Sequence, residues 1–328
     1  MNKYKITGIL MTLCLAVSCL TGCKIGNTEI QMEAGQIKNH RTVFRINDDK
    51  CDIRIAKLYL CNYRNLYGCV YGLDLWQNES KDLEQYVKDV TLQELSRITC
   101  MKLLAKEQGL SLDESEEKLI KAAAEEYYAS LNEAELSFMD VKKSDVEAAY
   151  EDYALAEKLY NSLIQGIDEE VSDDEARVIR VQQIIVKDEK EAASVEEKLK
   201  AGADFATVAG MFRQDGDIET VVSRGDYPQE VENIAFNLDD GECSEMISVS
   251  EGFYFIECLS KYEEELTEAN KETIRAERKQ EQFENSYQKF VDASSFQMND
   301  TLWEEVSLDH TEGIETDSFF AVYDKYFQ

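Results

Sequence analysis

The sequence predicts an α+β chain: a mostly helical module with one small β-α-α-α-β-β unit inserted in it. Three observations predict this. Apolar residues recur at helical spacing over residues 83–107 and again over 267–293. A β-branched run at 177–186 opens a stretch in which strand-like and helical segments alternate. Gly109, Gly166 and Gly202 fall where periodic stretches stop, the usual place for a helix-terminating glycine.

Each element has its own local cause. Residues 43–46 alternate and run into Asn47-Asp48-Asp49-Lys50, a turn signal, so a short hairpin is expected. Residues 53–66 carry Ile55, Leu58, Tyr59, Tyr63 and Leu66 on one helical face. Val87, Val90, Leu92, Leu95, Ile98, Leu103 and Leu104 mark the helix over 83–107. Ser111-Leu112-Asp113-Glu114 opens a helix that ends near Leu131, and Ser144-Asp145-Val146-Glu147 opens one that reaches Ile164. In the inserted unit, strand 177–186 is followed by helices at 189–201 and 204–213. Then come a loop at 216–227, a short helix at 229–236 and strands at 246–249 and 253–260. The last stretch, 309–328, is aromatic without a clear period, and is either an adhesive tail or a last packed segment.

Composition removes several function classes. The chain has 328 residues, 67 acidic against 35 basic, for a formal net charge of −32. Phosphate recognition needs a dense basic surface, so no nucleic-acid partner is expected. His40 and His310 are the only histidines, which excludes a His-rich metal enzyme and makes a Ser/His/Asp hydrolase improbable. No Walker or dinucleotide glycine pattern occurs, and paired carboxylates such as Glu125-Glu126 read as solvated helix faces. No metal and no cofactor are expected.

The N-terminus reads as a targeting segment. Lys3 and Lys5 precede a largely apolar run from Ile6 to Leu20, too short to span a bilayer comfortably. It ends in Leu20-Thr21-Gly22-Cys23. This resembles the lipobox of bacterial lipoproteins, which implies cleavage before Cys23 and acylation of its thiol. The expected organisation is a signal peptide at 1–22, a flexible stalk at 23–42 and a helical region at 43–171. The small α+β unit follows at 172–262, then a C-terminal helix and tail at 263–328 packing with the first helical region. The expected location is extracytoplasmic, lipid-anchored to the cell membrane. Six cysteines remain in the body, Cys51, Cys61, Cys69, Cys100, Cys243 and Cys258. They form no C-x-x-C pair, and their disulfide status stays open, with buried apolar roles favoured.

The middle unit resembles a known family. Ile185-Val186-Lys187-Asp188, then Leu199-Lys200-Ala201-Gly202-Ala203-Asp204-Phe205, Gln214-Asp215, Ala235-Phe236 with Leu238 and Gly241, and Gly252-Phe253-Tyr254-Phe255-Ile256 are similar to the parvulin-type peptidyl-prolyl isomerases. With a lipobox, a helical zone and a long C-terminal helix around it, the layout resembles extracytoplasmic foldases of the PrsA and SurA type. In those, helices before and after the isomerase domain form one chaperone-like module. The resemblance implies unfolded or partly folded secreted polypeptides as partners. It implies catalytic positions at Gln183, Asp217 and Tyr254, and substrate-binding positions at Tyr227, Val231 and Phe236. The two family histidine positions carry Gln183 and Tyr254, and the family's pocket methionine and phenylalanine fall on Tyr227 and Val231. Only Phe236 keeps its type. The reading is therefore a membrane-tethered folding factor with a degenerate isomerase site. An active isomerase and a non-catalytic interaction or ligand-binding lipoprotein remain as alternatives.

Overall fold

In a computed structural model, the structure describes residues 33–34, 37–70, 73–74, 81–212, 218–308, 311 and 313–327. The expected signal peptide, Cys23 and Asp217 lie outside the described residues. In chain order the elements are β1 (Glu33–Ala34), β2 (Thr42–Ile46), β3 (Asp49–Asp52), α1 (Ile53–Gly68), β4 (Cys69–Val70), β5 (Leu73–Asp74), α2 (Lys81–Glu107), α3 (Glu114–Ser130), α4 (Glu133–Met139), α5 (Lys143–Ile164), α6 (Asp173–Ala176) and β6 (Val178–Val186). Then follow α7 (Glu189–Lys200), α8 (Phe205–Phe212), β7 (Glu219–Ser223), α9 (Gln229–Ala235), β8 (Ile247–Val249), β9 (Gly252–Ser260), α10 (Glu264–Ala293), β10 (Phe296–Met298), α11 (Asp300–Glu304) and α12 (Phe319–Phe327).

The chain divides into two compact units. One holds 1–166 and 280–328, the other 167–279, so α10 is shared between them.

The first unit is helical with a small sheet. α2 packs on α1 and α5, and α3 packs on α5 and α12. Its core gathers Tyr59, Tyr127, Tyr150, Phe44, Phe283 and Phe319, all buried. The hairpin β2–β3 forms as the turn signal predicts, with Asn47 in the left-handed region at φ 53°. The sheet order is β1-β10-β2-β3, so a strand from late in the chain lies between two early ones. Residues 33–34 pair with β10 and Ile37 is buried, all three within the span 23–42 expected as a stalk.

Local chemistry explains the helix starts. Asp113 caps α3, accepting from Ser115 and Glu116 N–H, while Glu116 returns a bond to Asp113 N–H. At α5 the device begins two residues ahead of the expected serine: Asp145 accepts from Lys142 N–H, and Ser144 lies inside the helix. α4 was not expected. Asn132 and Glu135 form its capping box, and seven residues are too few to show a period. The aromatic tail is a packed segment, since Phe319 and Tyr323 on α12 are buried. Cys51, Cys61, Cys100 and Cys258 are buried free thiols, and Cys243 is an exposed one.

The second unit is a four-stranded sheet in the order β7-β6-β9-β8, antiparallel throughout. The element order departs from expectation in two places, the first being the short helix α6 ahead of β6. Residues 219–223, expected in a loop, form edge strand β7 on β6. One sheet face is covered by α7 and α8, through Ala192, Val195, Phe205, Val208 and Ala209 on Ile184, Val186 and Phe255. The other carries Ile179, Val181, Tyr254, Ile256 and Cys258 under Val231, Ala235 and Phe236. Both faces are covered, which is why 178–186 reads as a nearly continuous apolar run. Gly252 opens β9 at φ 144°, and a Cβ there would stand 2.6 Å from the Val186 carbonyl oxygen. Among the described residues no helix is long and apolar enough to cross a membrane, and no group of three or more His, Cys, Asp or Glu is placed to hold a metal ion.

Candidate functional site

The position-matched residues fall on one face of the second sheet. Ile185 of β6 pairs with Tyr254 of β9, and Gln183 pairs with Ile256. Directly paired antiparallel residues share a face, and so do residues two apart. Gln183 and Tyr254 are therefore diagonal neighbours on the face that α9 covers. The Gln183 N–H donates to the Ile218 carbonyl at 3.0 Å, which extends the β6–β7 edge.

Tyr227 joins them from the loop ahead of α9. Its hydroxyl donates to Gln183 Oε1 at 2.7 Å. Its ring meets that of Tyr254 edge-on, with centroids 6.1 Å apart and planes at 74°. This is the favoured geometry for two quadrupoles. Burial raises the phenol pKa of Tyr227 well above its ordinary value, with Tyr254 and Asp226 adding to the shift. Burial also raises that of Tyr254, helped by the Glu251 carboxylate. Neither phenol ionises near neutral pH, and glutamine does not titrate. The cluster is a set of neutral hydrogen-bonding groups and moves no proton at neutral pH.

Val231 and Phe236 are placed differently. Val231 on α9 is 0% exposed and Phe236 at its end is 3% exposed. Both belong to the packed face and present almost no surface to a ligand. Phe236 is held by two residues that the sequence did not single out. The guanidiniums of Arg177 and Arg224 lie 5.2 and 4.6 Å from its ring centroid. Arg177 also donates to the Phe236 carbonyl at 3.0 Å. Arg224 is fixed by both Asp174 carboxylate oxygens at 2.9 Å and by Glu232 at 3.3 Å. No periodic signal marks either arginine, since their common partner lies 59 and 12 residues away. The structure thus brings together Gln183, Tyr227 and Tyr254 on the sheet face covered by the packed pair Val231 and Phe236.

Such a face can act on a peptide only through binding. The barrier to X-Pro rotation is about 18–20 kcal/mol and involves no bond cleavage. A catalyst lowers it by holding the twisted amide better than the planar one. Here the Tyr227 bond fixes the Gln183 carbonyl as an acceptor and leaves Nε2 as that side chain's donor.

The fold and this sheet face define a class: residues 167–279 contain a parvulin-type domain. Residues 141–272 match the family model described as the PPIC-type PPIase domain. The chain that carries it is homologous to the PrsA foldase proteins. It is 32% identical to foldase protein PrsA 4 of Bacillus cereus over 124 residues, 36% of this chain and 44% of that protein. It is 26% identical to foldase protein PrsA of Clostridium botulinum (strain Loch Maree) over 320 residues, 87% of this chain and 93% of that one. The match to each of the first two Bacillus relatives spans 44% of the relative's length. A crystal structure of peptidylprolyl isomerase (PrsA) from Bacillus cereus aligns with a TM-score of 0.39 at 20% identity, covering 74% of this chain and 93% of that one.

Proposed function

We propose that this chain is an extracytoplasmic protein-folding factor, tethered through lipid on Cys23, whose helical unit holds unfolded segments of secreted polypeptides. Its parvulin-type domain has weak or no isomerase activity. The observation that carries this reading is the Gln183–Tyr227 hydrogen bond. The position where the family's histidine is expected holds an amide already engaged by a phenol. Beside it, Tyr254 stands at the second histidine position, and Val231 supplies no ring for a proline to pack on. The alphabet of the fold is kept while the polar groups that shape the site differ. Gln183, Tyr254 and Tyr227 are the residues assigned to the remnant site, and Asp217, outside the described residues, is assigned to it by sequence position alone. Val231 and Phe236 are assigned to its apolar wall.

The acidic composition supports the holding role, because a net charge of −32 keeps the chain soluble beside aggregating clients and favours basic or neutral segments. The test is a proline-isomerisation assay on an X-Pro peptide, run with aggregation suppression of an unfolded model protein. The expected result is suppression without measurable acceleration. Acceleration at catalytic amounts would establish the alternative, an active isomerase. Failure to suppress aggregation would remove the holding role.

A further inference from the structure

Within the helical unit, the described residues between α11 and α12 form no helix or strand, yet helix side chains grip their backbone. Asn132 Nδ2 donates to the Gly313 carbonyl at 2.9 Å. Asn65 Nδ2 donates to the carbonyls of Ile314 and Thr316 at 3.2 and 2.8 Å. Glu135 Oε1 accepts from the N–H groups of Glu315 and Thr316 at 2.9 and 2.7 Å. Asn62 Oδ1 accepts from Phe319 N–H at 3.1 Å, and Tyr150 donates to the Phe319 carbonyl at 2.7 Å. Side chains alternate along the stretch: Ile314 and Thr316 are buried, while Gly313, Glu315 and Asp317 are exposed.

An aromatic seat continues this track. Phe319 stacks on Tyr150 at 4.3 Å and 17°, and meets Tyr127 edge-on at 5.3 Å. Phe320 lies against Tyr59, Tyr63 and Tyr153 at 5.4–5.7 Å. Main-chain bonds hold any polypeptide regardless of sequence, and the alternate pockets and rings add a preference. This is the combination that a site for unfolded chains requires.

We infer that residues 313–327 occupy, in cis, a polypeptide-binding groove of the helical unit, and that its exchange partner is an extended client segment. That segment carries apolar residues at alternate positions followed by adjacent aromatic ones. The inference rests on the holding role proposed above and names its site. Asn62, Glu135, Tyr127 and Tyr150 are buried with the segment in place, so its departure breaks their bonds to its backbone or to Thr316 and opens them to water. Another extended backbone in the groove can make the same main-chain bonds. At its far end the resident segment is tied by exposed groups, Lys325 Nζ standing 2.7 Å from both Glu126 oxygens. That pair contributes little and opens readily.

The test is hydrogen exchange of the full chain with and without a permanently unfolded carboxymethylated lactalbumin. Amides of 319–327 should exchange about tenfold faster with the client, while α2 and α5 keep their protection. The double variant Phe320→Ser, Lys325→Glu alters the tail and not the groove. It should bind both the client and a synthetic peptide of residues 311–328 more tightly than the parent chain. Unchanged exchange at 319–327 in a chain that still suppresses aggregation overturns the groove and leaves the holding role standing. Absence of peptide binding to the double variant also overturns the groove. A concentration-dependent dimer accompanying faster exchange overturns the client in favour of a second copy's tail.

Discussion

Tyr227 donates its phenolic hydrogen to Gln183 Oε1 across 2.7 Å, tying the loop ahead of α9 to strand β6 over 44 residues of sequence. The bond occupies the acceptor that a ligand would otherwise meet, and both partners are uncharged. Two consequences follow for the candidate site.

The first concerns restoration. In the variant Gln183→His, Tyr254→His, two imidazoles stand as diagonal neighbours on the same sheet face, with the backbone unchanged. Isomerisation of an X-Pro peptide should rise above the parent rate, by about tenfold or more if the surrounding pocket is intact. A double variant that folds and stays silent would show that the apolar wall formed by Val231 and Phe236 blocks substrate.

The second concerns stability. Tyr227→Phe keeps the edge-on ring contact with Tyr254 and deletes only the hydroxyl. The chain should lose about 0.5–1.5 kcal/mol, the net contribution of one hydrogen bond. Urea unfolding followed by circular dichroism measures it, and no loss would mean that water replaces the phenol without cost.

Gly252 fixes the entry into β9. Gly252→Ala forces a side chain into φ 144° and places its Cβ 2.6 Å from the Val186 carbonyl oxygen. The cost should be about 1–3 kcal/mol or more, from backbone strain and from the displaced β6–β9 edge. A calorimetric scan should show the transition of the parvulin-type unit move down while the helical unit holds. An unshifted transition would contradict the geometry.

In the helical unit, Glu94 is buried and its pKa is raised by desolvation, with Arg97, 4.0 Å away, pulling it partly back. Tyr63, Tyr153 and Tyr287 surround it. Glu157 is raised for the same cause. A carboxyl whose folded pKa lies above its unfolded value binds protons more tightly when folded. Its contribution is therefore full below the unfolded pKa and is lost as pH rises through the folded one. Glu94→Gln should remove part of that slope, so the variant gains on the parent as pH rises from about 4.5 towards neutrality. Denaturation midpoints across that range check the sign, and a steeper slope would reverse it.

Thiol chemistry should be selective. Burial raises the pKa values of Cys61 and Cys100 to about 12 and pushes Cys51 higher still. Cys243 is exposed, its thiol raised less, by partial burial and by Glu257. Iodoacetamide at mildly alkaline pH should label Cys243 well ahead of Cys51, Cys61, Cys100 and Cys258 in the native chain. Equal labelling of all five would mean that the native helical core opens on the labelling timescale.

Much of this architecture is legible in local sequence. The helix over 81–107 announces itself through Val87, Val90 and Leu95, and Asp113 with Glu116 marks the start of α3. The strand β6 is visible because both its faces are covered. β7 escapes notice because only Val222 in it is buried, Thr220 and Ser223 being half-buried and Glu219 and Val221 exposed. The site divides the same way. Gln183, Tyr227 and Tyr254 are found by position within a recognisable pattern, since strand register alone brings two of them together. Arg177 and Arg224 are not, because nothing local makes an arginine seek a phenylalanine ring. The seat of α12 is the extreme case: Phe319 takes its backbone partner Asn62 from 257 residues away. Periodicity cannot report a partner at that distance.

The insertion of β10 between β1 and β2 sets an order of events. Asn47 at the tip of the early hairpin bonds Ser295, 248 residues later. During synthesis, the edge of β2 that β10 will take stays open until residues 296–298 emerge. The parvulin-type stretch, continuous in sequence, needs no such delay and can close by itself. The helical unit thus passes through an unfinished state, its first sheet closing only after the whole parvulin-type stretch has been made.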